Sequence, residues 1–275
     1  MAASLQVSMA FCIAGGAPTP EETATMTDKA LLRPIDLALA LGLLTRLPIS
    51  VRDTARGARA AWAWPLAGAV LGGLAACVGW GALALGLPAP VAALLALGAL
   101  VMLSGALHED GLADTVDGFW GGWTREGRLE IMRDSRVGSY GVIALVVTLA
   151  LRGVAFWLLF EAGPGAAAAA LVTSAMLSRA AMAGVMATLP HARETGLAQA
   201  QGRPPVTTVA VAVALAIGAG LLLCGMSGLV AAAAAALVAG VIARLARVKI
   251  GGQTGDVLGA VQQGAEIAAL LCLLV

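Results

Sequence analysis

Seven long apolar runs, at residues 62–86, 89–107, 138–160, 166–187, 206–225, 228–246 and 256–275, dominate the chain. A helix needs roughly 20 mostly apolar residues to cross the hydrocarbon of a bilayer, and each run is near that length. Within a membrane the backbone must satisfy its own polar groups, which continuous apolar runs of this length do as helices. The fold class expected is an all-α polytopic integral membrane protein with about seven transmembrane helices. A shorter run, Leu37 to Leu47, is bracketed by Asp36 and Arg46 and is too short to span, so it reads as an interfacial or re-entrant helix. Composition closes the other classes. Of 275 residues 60% are hydrophobic and 12% charged, and the mean hydropathy is +0.90, whereas soluble domains carry about 25% charged residues. A soluble enzyme, a disordered chain and a disulfide scaffold are excluded. A net charge of +1 gives no field for nucleic acid, so no nucleic-acid partner is expected. Cys12, Cys77, Cys224 and Cys272 show no paired spacing and read as small apolar residues rather than a redox motif or zinc site.

The charged residues sort by side. With Arg33 to Arg59 inside, the 108–137 loop (Arg125, Arg128, Arg133, Arg136), the 188–205 loop (Arg193, Arg203) and the 247–255 loop (Arg247, Lys249) all fall on the same side. The connections at Pro88–Pro90 and Gly225–Gly228 are uncharged, and the 161–165 turn carries only Glu161. This is the pattern the positive-inside rule demands, and it was not used to choose the spans. It sets the N-terminus inside and the C-terminus outside, and the expected location is a bacterial inner (cytoplasmic) membrane, as the family resemblance described below implies. Residues 1–30, with Gly15-Gly16, Pro18-Thr19-Pro20 and Glu21-Glu22, lack the basic start of a signal peptide. They read as a disordered extension ahead of a single catalytic domain, 31–275, with Met26 as the alternative start to Met1.

Chemistry concentrates in His108-Glu109-Asp110-Gly111-Leu112-Ala113-Asp114-Thr115-Val116-Asp117-Gly118. On a helix, Asp110, Asp114 and Asp117 share one face. Aligned carboxylates repel in a low dielectric unless a cation lies between them, and hard oxygen donors suit Mg²⁺ or Mn²⁺. The bland alternative is a solvated acidic turn at the interface. Such an ion takes much of its shell from phosphates and water. The segment Arg128 to Arg136 sets guanidinium groups beside the acids, with Arg133, Asp134 and Arg136 directly before a span. Arg125 and Arg128 read equally well as positive-inside charges. Arg179, after Ser178 near an inner span end, is placed to reach a phosphate, while Arg152, deeper, reads equally as the partner of an internal acid. The last span opens Gly251-Gly252-Gln253-Thr254-Gly255-Asp256 and continues through Gln262, Gln263 and Glu266. A helix so polar should line an interior site. Its glycine-rich start suits an anionic group, with Gln253 and Thr254 as phosphate contacts. Asp256 is a further metal ligand or a general base, or simply a helix cap.

Together these segments resemble the cobalamin (5′-phosphate) synthase family, the adenosylcobinamide-GDP ribazoletransferases. The resemblance runs through Thr45-Arg46-Leu47-Pro48, Trp64-Pro65-Leu66-Ala67-Gly68, His108 to Gly118, Glu130 to Gly138, Ser178-Arg179 and Gly251 to Asp256, in order over residues 31–275. The acidic motif joined to Met132-Arg133-Asp134-Ser135-Arg136 is its most specific part. The first 30 residues have no counterpart. The resemblance implies that α-ribazole, or its 5′-phosphate, reacts with adenosylcobinamide-GDP to give adenosylcobalamin, or its 5′-phosphate, and GMP. Mg²⁺ on Asp110, Asp114 and Asp117 would bridge diphosphate oxygens, with Asp256 as a possible fourth ligand. Arg133, Arg136 and Arg179 would clamp phosphate. Asp117 or Asp134 would take the hydroxyl proton, or His108, whose angle favours an orienting role.

Two other readings compete. A CDP-alcohol phosphotransferase performs the same substitution, but its motif has Ala-Arg where Ala113 is followed by Asp114. A cation-coupled transporter predicts midplane acids and an internal repeat, and no repeat is visible. The small-residue face Gly68-x-x-x-Gly72 permits tight helix packing, within the chain or in a homo-oligomer.

Overall fold

A computed structural model describes residues 31–49, 51 and 56–275, so the expected N-terminal extension lies outside the described residues. The chain forms α1 (Ile35–Leu44), a 3-10 turn (Gly57–Ala63), α2 (Trp64–Ala84), α3 (Ala89–Ser104), α4 (Leu107–Gly121), α5 (Arg125–Ile131) and α6 (Ser139–Ala162). It continues through α7 (Pro164–Thr188), α8 (Leu197–Gln201), α9 (Val206–Cys224), α10 (Met226–Ile250) and α11 (Gly255–Cys272). No strand forms among the described residues beyond an isolated bridge between His191 and Gln253. The fold is that of a polytopic helical membrane protein.

Five helices are long and apolar enough to cross a membrane: α2 with its 3-10 turn, α6, α7, α9 and α10. A sixth crossing arises if α3 and α4 count as one span bent by 84°. Two of the seven expected spans therefore take a different form. Residues 89–107 do not make one straight helix, because Gly105 and Ala106 both adopt left-handed backbone, at φ 67° and 55°. That conformation ends α3 after 16 residues, or about 24 Å, and costs a residue with a Cβ such as Ala106 some strain. The segment 256–275 does form a helix, α11, but Gln262, Gln263 and Glu266 make it too polar to face lipid. All three are 1% exposed, enclosed by neighbouring helices, as expected of a helix lining a polar interior.

The core is closed by small residues. A Cβ at Gly72 would lie 2.6 Å from the Leu171 carbonyl oxygen, and one at Gly68 would strike that of Ala175. The Gly68–Gly72 face is thus used inside the chain, where it lets α2 lie directly on α7. Outward-facing Ile143, Val146, Leu222 and Leu237 remain exposed, the surface that lipid would cover. The short α1 is tied to the start of α2. Buried Asp36 accepts hydrogen bonds from Arg56 Nη2 at 2.8 Å and Trp62 Nε1 at 2.6 Å.

Gly72→Val should destabilise the fold by about 2 kcal/mol or more, since backbone on α7 cannot yield to the new side chain. Gly73→Val, where an added Cβ meets nothing within 4 Å, should cost less than about 1 kcal/mol. Thermal unfolding of the two variants in detergent checks the contrast.

Candidate active site at the crossing of two helices

Helices α4 and α11 cross with their backbones in contact. A Cβ on Gly111 would lie 2.9 Å from the Asp256 carbonyl oxygen and 3.2 Å from Gly259 Cα, and one on Gly259 would lie 3.1 Å from the His108 carbonyl oxygen. The crossing brings the acidic motif against the first turn of α11. That turn is well made. Left-handed Gly251 (φ 81°) ends α10, and Thr254 caps α11, its Oγ1 accepting from Val257 N at 3.3 Å. Asp256 lies in the first turn, where the helix dipole favours a carboxylate. It accepts from Thr254 Oγ1 and from Arg193 Nη1, each at 3.1 Å.

Three of the predicted acids gather here with oxygens to spare. Asp110 is exposed, and Asp114 and Asp256 are half-buried. Asp114 lies in the field of the Asp256, Asp110 and Asp117 carboxylates, with Arg193 as the positive neighbour. Like charges so placed repel, and a bound cation would relieve them. Among the described residues no group of three or more His, Cys, Asp or Glu side chains is arranged so that it could hold a metal ion.

Asp117 is held against the start of α6. Its two oxygens accept from Gly138 N at 2.7 Å and Gly141 N at 2.8 Å. The carboxylate thus satisfies free N–H groups that open α6. Arg179 is 1% exposed and lies 3.3 Å from Glu266 Oε2. Arg152 takes the structural alternative, 2.7 Å from Glu109 and 2.9 Å from Glu266. Gln253 and Thr254 also serve the fold. Gln253 Nε2 stands 2.8 Å from His191 Nδ1 and its backbone pairs with Pro190 and Ala192, which clasps the 188–205 loop to α11. His108 is buried, with Nε2 unpartnered among the described residues.

Asp134 and Arg136 form an exposed pair at 2.6 Å. Hydrogen bonds from Arg136 hold the Asp134 carboxyl below its usual range, which makes it a poorer proton acceptor. Arg133 is exposed and, with Gly121, Gly122, Glu130 and Asp134, borders a cleft of about 640 Å³. Arg125 and Arg128 bind backbone: Arg125 donates to Ile250 O at 2.9 Å and Ala192 O at 2.8 Å, and Arg128 to Lys249 O at 3.0 Å. They occupy carbonyls that the end of α10 leaves free. Lys249 does the same for α4, donating to Phe119 O at 2.7 Å with its ammonium 4.9 Å above the Trp120 ring.

Sequence reasoning missed Arg193, whose partner Asp256 is 63 positions away, and the pairing of Glu109 and Glu266 with the two interior arginines. The one available signal was charge balance: an intramembrane arginine requires an acid.

Fold and site together define a polytopic helical membrane protein with a cluster of acids set between two helices, at the end of the bundle that carries the basic loops. The family model described as cobalamin-5-phosphate synthase matches residues 36–274, and the chain belongs to that family. It is similar to an adenosylcobinamide-GDP ribazoletransferase of Bradyrhizobium diazoefficiens, at 45% identity over 86% of this chain and 92% of the relative. Proteins of the same name from Azorhizobium caulinodans (46% identity, 87% and 95% covered) and Brucella ovis (42%, 86% and 95%) match equally broadly. No solved structure matches.

Asp117→Asn retains one acceptor but turns an amide N–H toward a backbone N–H. It should cost about 1–3 kcal/mol of stability, read as a lower midpoint in thermal unfolding, whether or not metal is added.

Proposed function

We propose that the protein joins α-ribazole, or its 5′-phosphate, to adenosylcobinamide-GDP, giving adenosylcobalamin, or its 5′-phosphate, and GMP. The observation that carries this reading is the meeting of Asp110, Asp114 and Asp256, in a chain whose similarity to proteins named for this transfer covers 86% of its length. These acids suit Mg²⁺. They are hard oxygen donors, two of them have no hydrogen-bonding partner among the described residues, and their mutual repulsion favours a cation. Asp110 and Asp114, one turn apart on α4, would hold the ion from one side, and Asp256 from the other. A bound Mg²⁺ would neutralise charge on the diphosphate and on the departing GMP.

The remaining work falls to the chain's own residues. A ribazole hydroxyl attacks the phosphorus on the cobinamide side. The new P–O bond forms as the bond to GMP breaks, and the hydroxyl proton passes to a carboxylate. Asp256 is oriented by Thr254 and Arg193. Arg193 also limits the negative charge of the site before substrate arrives. Arg133, exposed beside the cleft, offers a guanidinium to phosphate oxygens. The basic loops support a cytoplasmic setting for this end of the bundle, with the protein in a bacterial inner membrane.

Purified protein in liposomes, given adenosylcobinamide-GDP, should release GMP only when both α-ribazole and Mg²⁺ are present. Asp114→Asn should lower the rate by at least about 100-fold with folding intact. Release that ignores ribazole, or none from folded protein, contradicts the proposal.

A further inference from the structure

Below the acids lies a second polar layer, buried and made from four helices. Arg152 of α6 reaches Glu109 of α4 at 2.7 Å and Glu266 of α11 at 2.9 Å. Gln263 of α11 joins the same group, donating to Glu109 Oε1 and accepting from Arg152 Nη1, each at 3.0 Å. From α7, Arg179 lies 3.3 Å from Glu266, while Gln262 donates to Ser178 Oγ at 3.2 Å. Arg152, Arg179, Gln262, Gln263 and Glu266 are each 1% exposed.

Two arginines balance two glutamates, so the layer is neutral as a whole. Charge balance alone does not explain it, because well-packed apolar side chains commonly stabilise a core at least as well as buried ion pairs. What a two-ended guanidinium adds is direction. Arginine's planar fork can hold two carboxylates on two helices in one fixed relation, which an ammonium on a flexible stem cannot. The contacts between α4 and α11 form one antiparallel register: Glu109 meets Gln263, Gly111 meets Gly259, and Asp114 faces Asp256. A change of register at the first level would displace the third. Glu109 also directly precedes Asp110 on α4.

We infer that Arg152 is a positioning residue: by gripping Glu109 and Glu266 it sets the register of α4 against α11, and so the placement of Asp110 and Asp114 relative to Asp256. The kinetic part of the inference rests on the proposed transfer, while the structural part does not.

The test uses the full chain in nanodiscs, with two variants. Arg152→Lys keeps the charge and removes the fork. The double variant Arg152→Met, Glu109→Gln removes one charge of each sign and leaves Arg179 paired with Glu266. Amide hydrogen exchange should rise at least tenfold in 107–118 and 255–266 in both, and stay unchanged in α9. For GMP release, kcat should fall at least tenfold while KM for α-ribazole stays within twofold. Unchanged exchange in those two segments overturns the inference, as does a double variant that folds and keeps its kcat. Failure of both variants to fold would make the layer a folding requirement and overturn it as well. If the wild-type protein releases no GMP, the proposed transfer has failed, and hydrogen exchange alone decides the role of Arg152.

Discussion

The contact between Gly111 and Gly259 governs the reactive end of this molecule. Because neither residue has a Cβ, the α4 and α11 backbones meet, and the acids of the motif stand against the first turn of the last helix. Larger side chains there would push the helices apart and leave Asp110 and Asp114 facing open space. The surrounding structure holds the same crossing in place. Asp117 fastens α4 to the start of α6, Lys249 fastens it to α10, and Gln253 clasps the 188–205 loop against α11.

Charge is distributed by depth. In the interior, arginine and glutamate compensate one another completely, as expected where water cannot screen them. At the end with the basic loops, Arg125, Arg128 and Lys249 are drawn to backbone carbonyls at helix ends, where their positive charge meets the negative pole of the helix dipole. Between these layers the acids of the site keep a surplus of negative charge, with Arg193 as the compensating group. The proposed cation and its phosphates rest on that surplus.

Much of this was legible in the sequence, for definite reasons. Apolar length marked the helices, and the polar face of α11 announced its burial, since Gln262, Gln263 and Glu266 could not be left in lipid. Spacing put Asp110 and Asp114 on one helix face. The 84° bend was hidden because the apolar run continues through Gly105 and Ala106 without a proline or charge to mark a break. The backbone partners of Asp117 were not legible, because helical spacing shows which face a residue occupies but says nothing of free N–H groups on a neighbouring helix. Nor was the pairing of Arg179 with Glu266, which lies 87 positions away, a distance at which no local pattern operates. The same limit concealed Arg193.

The central claim is that Asp110, Asp114 and Asp256 hold a divalent ion against a diphosphate at the α4–α11 crossing. Mn²⁺ in place of Mg²⁺, with adenosylcobinamide-GDP bound, allows a direct reading by electron–nuclear double resonance. The wild-type protein should show phosphorus coupling from a directly coordinated phosphate, and folded Asp114→Asn should lose it. Coupling that persists unchanged in Asp114→Asn would place the ion elsewhere and contradict the claim.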